Sequence, residues 1–497
     1  MPANSPWQKG KAQPGHPTLG LAVVMIGLLM TAVDTTIVVL ALPEIERGLH
    51  LALSSVIWVV IGYLLVITLL ATQVGRLGDM FGRVRMYQAG LVIFIAGSAL
   101  CALSWNEGAI VGFRILQGVG GALMTANTGA IIADLFPPEQ RGKAYGYNAV
   151  GWSLGAVLGI VLGGLIVTYI SWRWIFWINV PIGIVAVLVT AAALHDHGER
   201  AKRQLDLVGM GLLGAGLFGI LWAVTRLATS SLDATTTGFL LGGLVLVAAF
   251  ALVETKRAAP MLDLSLLALP TVSPTLLAAL FQGLANYAVL FLLIMYLQGP
   301  RGLSPLDASL LLVPGYVVGS VFGPLAGKLS DRVGPVVPAT AGLALQGIAL
   351  LWFATLSVST GLWVVVLASV VNGVGASGFF PANSAALMRA VKPQVFGIAS
   401  GMLRTFSNIG MVFSFSVAIL AASRSISRSL AFAIFVGTAK IHGSLARAFT
   451  SGLHTAFFVS VGVMALAAAF SATRRTRKGA PSEPGPAATA EPVTVGR

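Results

Sequence analysis

The sequence predicts an all-α, polytopic membrane protein of fourteen transmembrane helices: two pseudo-symmetric six-helix bundles with two additional helices between them. Three observations lead there. Of the 497 residues, 56% are hydrophobic and 10% charged, against about 25% charged in a soluble domain. Apolar runs of about 20 residues, enough to cross a ~30 Å hydrocarbon core, recur along nearly the whole chain, and their continuous rather than alternating pattern excludes a barrel. Finally, one short motif occurs twice, as G75-R-L-G-D-M-F-G82 and G327-K-L-S-D-R-V-G334, 252 residues apart.

Taken in order, residues 1–18 form a polar, basic tail expected in the cytoplasm. The run after it is too long for a signal peptide and has no small-residue cleavage site, so it is read as a retained helix. Helices are expected near 19–42, 52–74, 86–105, 108–133, 145–170 and 174–194, making a first bundle over 19–194. The polar stretch 195–205 is a connector, and 206–254 holds two further helices near 206–226 and 236–254. The second bundle, 255–473, takes helices near 272–298, 306–327, 336–356, 361–388, 396–422 and 453–473, with an outer loop at 423–452 whose AFAIFVGT segment could lie at the interface. The Pro-, Ala- and Glu-rich residues 474–497 have the composition of a disordered tail. Repeats of this size are the architecture that lets two bundles rock about a midplane site.

The net charge of +14 reports topology. With an even number of spans both termini share one side. The loops of that side hold Arg83, Arg85, Arg141, Lys143, Arg200, Lys202 and Arg203 among many others, whereas the opposite loops are sparsely basic. That asymmetry places both termini in the cytoplasm of a multi-pass protein of the cell (inner or plasma) membrane. It makes anionic lipid headgroups the expected partner of the basic loops and argues against nucleic acid. A single cysteine, Cys101, cannot form an internal disulfide. FGPLAGKL, at 322–329, lacks the leading Gly and the Ser or Thr after Lys that a phosphate-binding loop needs, so ATP-driven transport is rejected. No Cys/His cluster suggests a metal, His195 and His197 read as surface groups, and no cofactor or enzymatic activity is expected.

Against this apolar background Asp34 stands out, in the middle of LLMTAVDTTIVVLAL (28–42). A carboxylate at the bilayer centre costs about 2.5–3.5 kcal/mol on insertion scales, which makes it a functional candidate by default. It can lower that cost by pairing with a cation, by bonding to Thr35 and Thr36, or by taking up a proton. Its natural counterpart is Arg114, because both lie roughly 9–12 Å from the outer helix ends at ~1.5 Å per residue. Gln117 lies one turn from Arg114 and could serve either member. No other acid is read well inside an apolar helix, so Asp34 alone is expected to carry the proton.

GRLGDMFGRVR resembles the signature of the major facilitator superfamily between its second and third helices. RILQGVGGALM (114–124) resembles the family's fourth-helix motif, and GAVLGIVLGG (155–164) its fifth-helix antiporter motif. VDTTIVVLALP (33–43) and WRWIFWINVPIG (172–183) are similar to the 14-helix drug–proton antiporter branch in particular. The resemblance covers 19–473, and it implies a multidrug efflux transporter in which Arg114 is tied to proton transfer. Where the antiporter motif has a proline this chain has Ile160; that keeps the packing face of Gly151, Gly155, Gly159, Gly163 and Gly164, on which a helix can approach closely, and loses the kink site.

The two signature loops are expected to latch the cytoplasmic side in one state, through Gly75, Arg76, Gly78, Asp79, Gly82, Arg83 and Arg85 in the first half and Gly327, Asp331 and Arg332 in the second. Asp79 there could accept from a helix N-terminus. A substrate cavity needs apolar and aromatic walls with few polar groups; by depth and polarity the candidates are Trp58, Tyr63, Gln282, Asn286, Tyr287, Tyr316, Asn372 and Asn383. Arg404 and Asn408 join them, with Arg404 either snorkelling to headgroups or attracting a substrate anion. The expected activity is proton-driven export of lipophilic or amphipathic small molecules by alternating access, from a monomer. Two competing readings are an exporter of an anionic metabolite, lipid or siderophore, and a non-transporting sensor or scaffold.

Overall fold

The computed structural model of the protein describes residues 17–51, 53–136, 138–196, 205–229, 232–257, 260–391, 396–422 and 444–474, and all regular structure among them is helical. The first part of the chain forms α1 (Pro17–Leu49), a short α2 (Leu53–Val56), α3 (Trp58–Phe81), α4 (Arg83–Ala102), α5 (Glu107–Leu135), α6 (Pro138–Tyr169), and the broken pair α7 (Trp174–Trp177) and α8 (Asn179–Ala193). Then come α9 (Leu207–Thr229) and α10 (Ala234–Glu254), followed by α11 (Val272–Gln298), α12 (Pro305–Val333), α13 (Val336–Phe353), α14 (Leu362–Ala390), α15 (Phe396–Ala422) and α16 (Ser444–Ala472). Among the described residues, eleven helices are long and apolar enough to cross a membrane, or twelve if the two bent parts of α3, Trp58–Ala71 and Gln73–Phe81, make one span.

Local chemistry sets the helix ends. The Asn106 side chain accepts from the Ala109 N–H and starts α5, Ser304 does the same for α12 ahead of Pro305, and Asp233 caps α10. Several boundaries differ from the sequence reading. The signature GRLGDMFG is not an open loop: α3 runs through it to Phe81, and the whole connection to α4 is Gly82, whose φ of 107° favours glycine. Likewise α12 continues through GKLSDRV to Val333 and ends on Gly334 at φ 85°. Residues 444–452, expected in the outer loop, belong to α16, and α6 starts seven residues before the expected 145. Arg474, expected in the tail, is buried against Asn383 of α14, so the tail cannot start there. The rest of the expected tails, most of the connector and AFAIFVGT lie outside the described residues.

The helix pairings of the first half recur in the second. α1 packs on α6 as α11 packs on α15; α3 on α5 as α12 on α14; α4 on α5 as α13 on α14; and α4 on α8 as α13 on α16. The halves meet along α6 against α12 and α3 against α15. The α9–α10 hairpin is joined to this seam, with α9 touching both α3 and α15. Gly214 of α9 faces Leu69, Phe218 lies 5.2 Å from the Trp58 ring, and the Thr225 and Ser416 hydroxyls are 3.1 Å apart. Outward faces are apolar, as Leu188, Leu241, Val245, Leu252 and Val321 show. Exposed Trp105, Tyr169, Trp174 and Trp363 all sit at the end of the bundle away from the signature motifs, an arrangement typical of an aromatic belt at a membrane interface.

Candidate functional site

α1 and α5 bring Asp34, Arg114 and Gln117 into one sealed cluster, at 0%, 1% and 0% exposure. Arg114 Nη1 donates to Asp34 Oδ2 at 2.7 Å and to Gln117 Oε1 at 2.7 Å, while Gln117 Nε2 donates to Asp34 Oδ1 at 2.9 Å. Both carboxylate oxygens are therefore satisfied from α5. Arg114 is held in turn by the Val59 carbonyl, 2.8 Å from its Nε, and its guanidinium lies over the Tyr63 ring at 4.2 Å. Thr35 and Thr36, which flank the acid in sequence, do not hold it; their hydroxyls return to the carbonyls of Thr31 and of Ala32 and Val33. That is the usual fate of threonine inside a helix, whose hydroxyl reaches back one turn. Cys101 is buried beside Gln117, with Sγ 3.8 Å from Oε1.

The glycine face of α6 is turned onto α1 around this acid. A Cβ on Gly155 would stand 2.6 Å from the Ala32 Cβ, and one on Gly159 2.7 Å from the Val33 carbonyl oxygen. Gly163 packs on Ile37 and Leu40, whereas Gly164 faces the other half, 2.9 Å from the Leu306 Cα of α12. Ile160 is buried.

At the signature end, Arg83 lies between two acids. Its Nη1 binds both Asp134 oxygens at 2.9 Å, and its Nη2 binds Asp79 Oδ1 at 2.9 Å. The carboxylate at the N-terminus of α4 is Asp196, not Asp79: it accepts from the Val84 N–H at 2.8 Å and the Arg85 N–H at 3.2 Å. Arg85 itself is exposed and 3.8 Å from Asp196. Gly78 is required by the close approach of Asn127, while Gly75 and Gly327 face open space. Arg76 leaves the group and donates to the Pro260 carbonyl, on the segment leading to α11. Arg332 is exposed, and the Asp331 side chain lies outside the described residues.

The expected cavity residues divide. Trp58 packs on α9, Tyr63 lies under Arg114, Gln282 bonds Gln346 at 2.9 Å inside the second half, and Asn383 bonds Arg474 and the Thr275 carbonyl. These four do not come together. Asn286, Tyr287, Tyr316, Asn372 and Asn408 are half-buried, and Oδ1 of Asn286 and of Asn372 have no hydrogen-bond partner among the described residues. Arg404 is exposed and reaches across to the Thr125 carbonyl of α5 at 3.2 Å.

Asp34 is not the sole buried acid. Asp206 and Glu254 are 1% and 2% exposed at the ends of α9 and α10. The sequence places them at helix ends, where acids are ordinarily solvated; among the described residues, Gln73 of α3 and Leu262 bond over them.

A family model described as Major Facilitator Superfamily matches residues 24–414 and again 275–495. The chain belongs to the major facilitator superfamily. It is 31% identical over 415 residues to the tetracenomycin C resistance and export protein of Streptomyces glaucescens, covering 82% of this chain and 77% of that one. It is 28% identical over 405 residues to the multidrug transporter protein MdtP of Bacillus subtilis, covering 80% and 74%. Among solved structures, a bacterial homologue of the human lysosomal transporter Spinster, inward-facing and occupied, superposes with a TM-score of 0.66 at 18% identity over 93% of this chain and 97% of its own. Fold and family are those of a membrane transporter and not of an enzyme, and several superfamily relatives of this chain are named as drug or antibiotic exporters.

Proposed function

We propose that this superfamily member exports lipophilic or amphipathic compounds in exchange for protons, by alternating access. The observation that supports it most is the Asp34–Arg114–Gln117 cluster: a carboxylate sealed from water, whose charge is balanced by one guanidinium on a neighbouring helix. Protonation of Asp34 breaks that balance and frees Arg114 from α1. A proton bound here therefore changes how α1 and α5 hold each other, and a substrate that favours one arrangement competes with it. The glycine face of α6 lets α1 pack closely at the same level. The arginine–aspartate latch of Arg83, Asp79 and Asp134 would hold one end shut in one state. The naming of several relatives as drug or antibiotic exporters supports a drug-like substrate. In this reading the chain is a monomer in the cell membrane with fourteen spans, counting α6 and α15. Its bundles are 19–194 and 255–473, and both termini face the cytoplasm, where the basic loops meet anionic lipid.

The test is efflux from proteoliposomes carrying an imposed pH gradient. Asp34→Asn is expected to abolish gradient-driven efflux while substrate binding persists. Undiminished driven efflux in that variant would remove Asp34 from the mechanism.

A further inference from the structure

A pair of carboxyl groups, outside the Asp34 cluster, is built into the joint where α9 and α10 meet the rest of the molecule. Asp206 Oδ1 accepts from the Gly209 N–H at 2.8 Å and pairs with Arg257 Nη1 at 3.1 Å. Glu254 Oε1 accepts from the Leu262 N–H. The remaining oxygens, Asp206 Oδ2 and Glu254 Oε2, are buried and have no hydrogen-bond partner among the described residues. They turn to the same space: a Cβ on Gly209 would stand 2.6 Å from the first and 2.9 Å from the second. Above them is Gln73 of α3, 3% exposed, whose Oε1 takes the Asp206 N–H at 3.3 Å and whose Nε2 has no partner among the described residues.

Two carboxylates side by side in a water-poor site cannot both stay ionised, because each charge opposes the other and neither is hydrated. Two ionised carboxylates are also acceptors only, so their facing oxygens cannot bond to each other. One shared proton removes both difficulties. It makes one oxygen a donor to the other, and it leaves the pair with a single negative charge matched by Arg257. Among the described residues, the ion pair these acids make is the one between Asp206 and Arg257. Lys256 is exposed on the turn, Arg76 of α3 is bonded to the Pro260 carbonyl, and Asp263 is engaged by Ser265.

We propose that Asp206 and Glu254 form a proton-sharing carboxyl pair, a second proton site of this transporter, whose proton clamps α3 to α9, α10 and the segment entering α11. The clamp lies beside the signature end of α3, tied through Gln73 and, by Arg76, to Pro260. Loss of the proton leaves two adjacent buried charges and loosens the connection between the first half, the α9–α10 hairpin and the lead into the second half. The inference is independent of the role of Asp34.

The test is infrared difference spectroscopy of the full-length protein in lipid, titrated with pH in an Asp34→Asn background. A protonated-carboxyl C=O band is expected at neutral pH, titrating as one proton, and absent in Asp34→Asn/Glu254→Gln. The glutamine amide can donate permanently to Asp206, so this variant should fold and lose only the titration; Asp206→Asn provides the reciprocal variant. Thermal unfolding gives a second readout: stability of the Asp34→Asn protein should fall from mildly acidic to alkaline pH, and the added Glu254→Gln should flatten that fall. A band unchanged by both substitutions, or no band, overturns the proposal. Stabilisation by sodium ions instead of protons also overturns it and assigns the pair to a metal cation.

Discussion

Asp34 and Arg114 are individually costly in a membrane and tolerable together, because each is the other's solvent. The guanidinium occupies both the carboxylate and the glutamine that bonds it, and its own Nε is taken by Val59. Removing one member strands the other, which typically costs about 3–5 kcal/mol for a buried pair. Arg114→Met is therefore expected to lower thermal stability in detergent by an amount in that range, and restoring neutrality with Asp34→Asn in the same chain should recover part of it. Equal stability of the single and double variants would mean that the pair is not coupled. Arg474 is the contrary case, a buried guanidinium that among the described residues bonds only Asn383 and leaves two nitrogens unpartnered. Burial pushes it down to about 10 from the usual arginine value.

At the scale of elements, the glycines of α6 and of the signature motifs differ in what they do. A side chain on Gly159 would press on the Val33 backbone one residue before Asp34, whereas one on Gly75 would meet nothing. Gly159→Ala is thus expected to force α6 away from α1 and reduce both folded yield and driven transport. Gly75→Ala should be neutral or slightly stabilising, since alanine is the better helix former by about 1 kcal/mol. Size-exclusion yield and efflux measured on the two variants side by side check this; similar losses in both would show that the close approach of α1 and α6 is not limiting. The motif glycines are therefore not interchangeable: Gly82 and Gly334 set the turns, and Gly78 admits Asn127.

For the whole molecule, the decisive arrangement is the position of α9 on the seam between α3 and α15. Any rocking of one half against the other has to slide along that helix or carry it. The 3.1 Å contact of Thr225 and Ser416 gives a handle on this, as the chain's one native cysteine, Cys101, is buried. Oxidation of Thr225→Cys/Ser416→Cys is expected to arrest efflux, and reduction to restore it. Full activity of the cross-linked protein would mean that α9 travels with α15 throughout the cycle.

How much of this could be read from the chain depends on the range of each interaction. Hydropathy is a local property, and it gave the membrane class and nearly every helix, with α11 and α15 matched at both ends. The repeated motif gave the pairing of the two halves, and the lone acid in a helix centre gave Asp34 with Arg114 and Gln117, since depth along a helix follows from residue count. The signature motifs read as loops in the sequence because glycine suggests a break, yet of the motif glycines only Gly82 and Gly334 adopt the conformation that needs it.

What the sequence by itself determined is thus the solvent of each segment and the level of each charge within it. Tertiary structure alone decided which charges meet: that Arg83 takes Asp134 as well as Asp79, that Asp196 returns to α4 from beyond α8, and that Asp206 and Glu254 are buried together. The reason is physical. Burial at a helix end is set by what packs over it, and in this chain Gln73, which takes the Asp206 N–H, is distant in sequence from it, while Leu262 closes over Glu254 from beyond the turn.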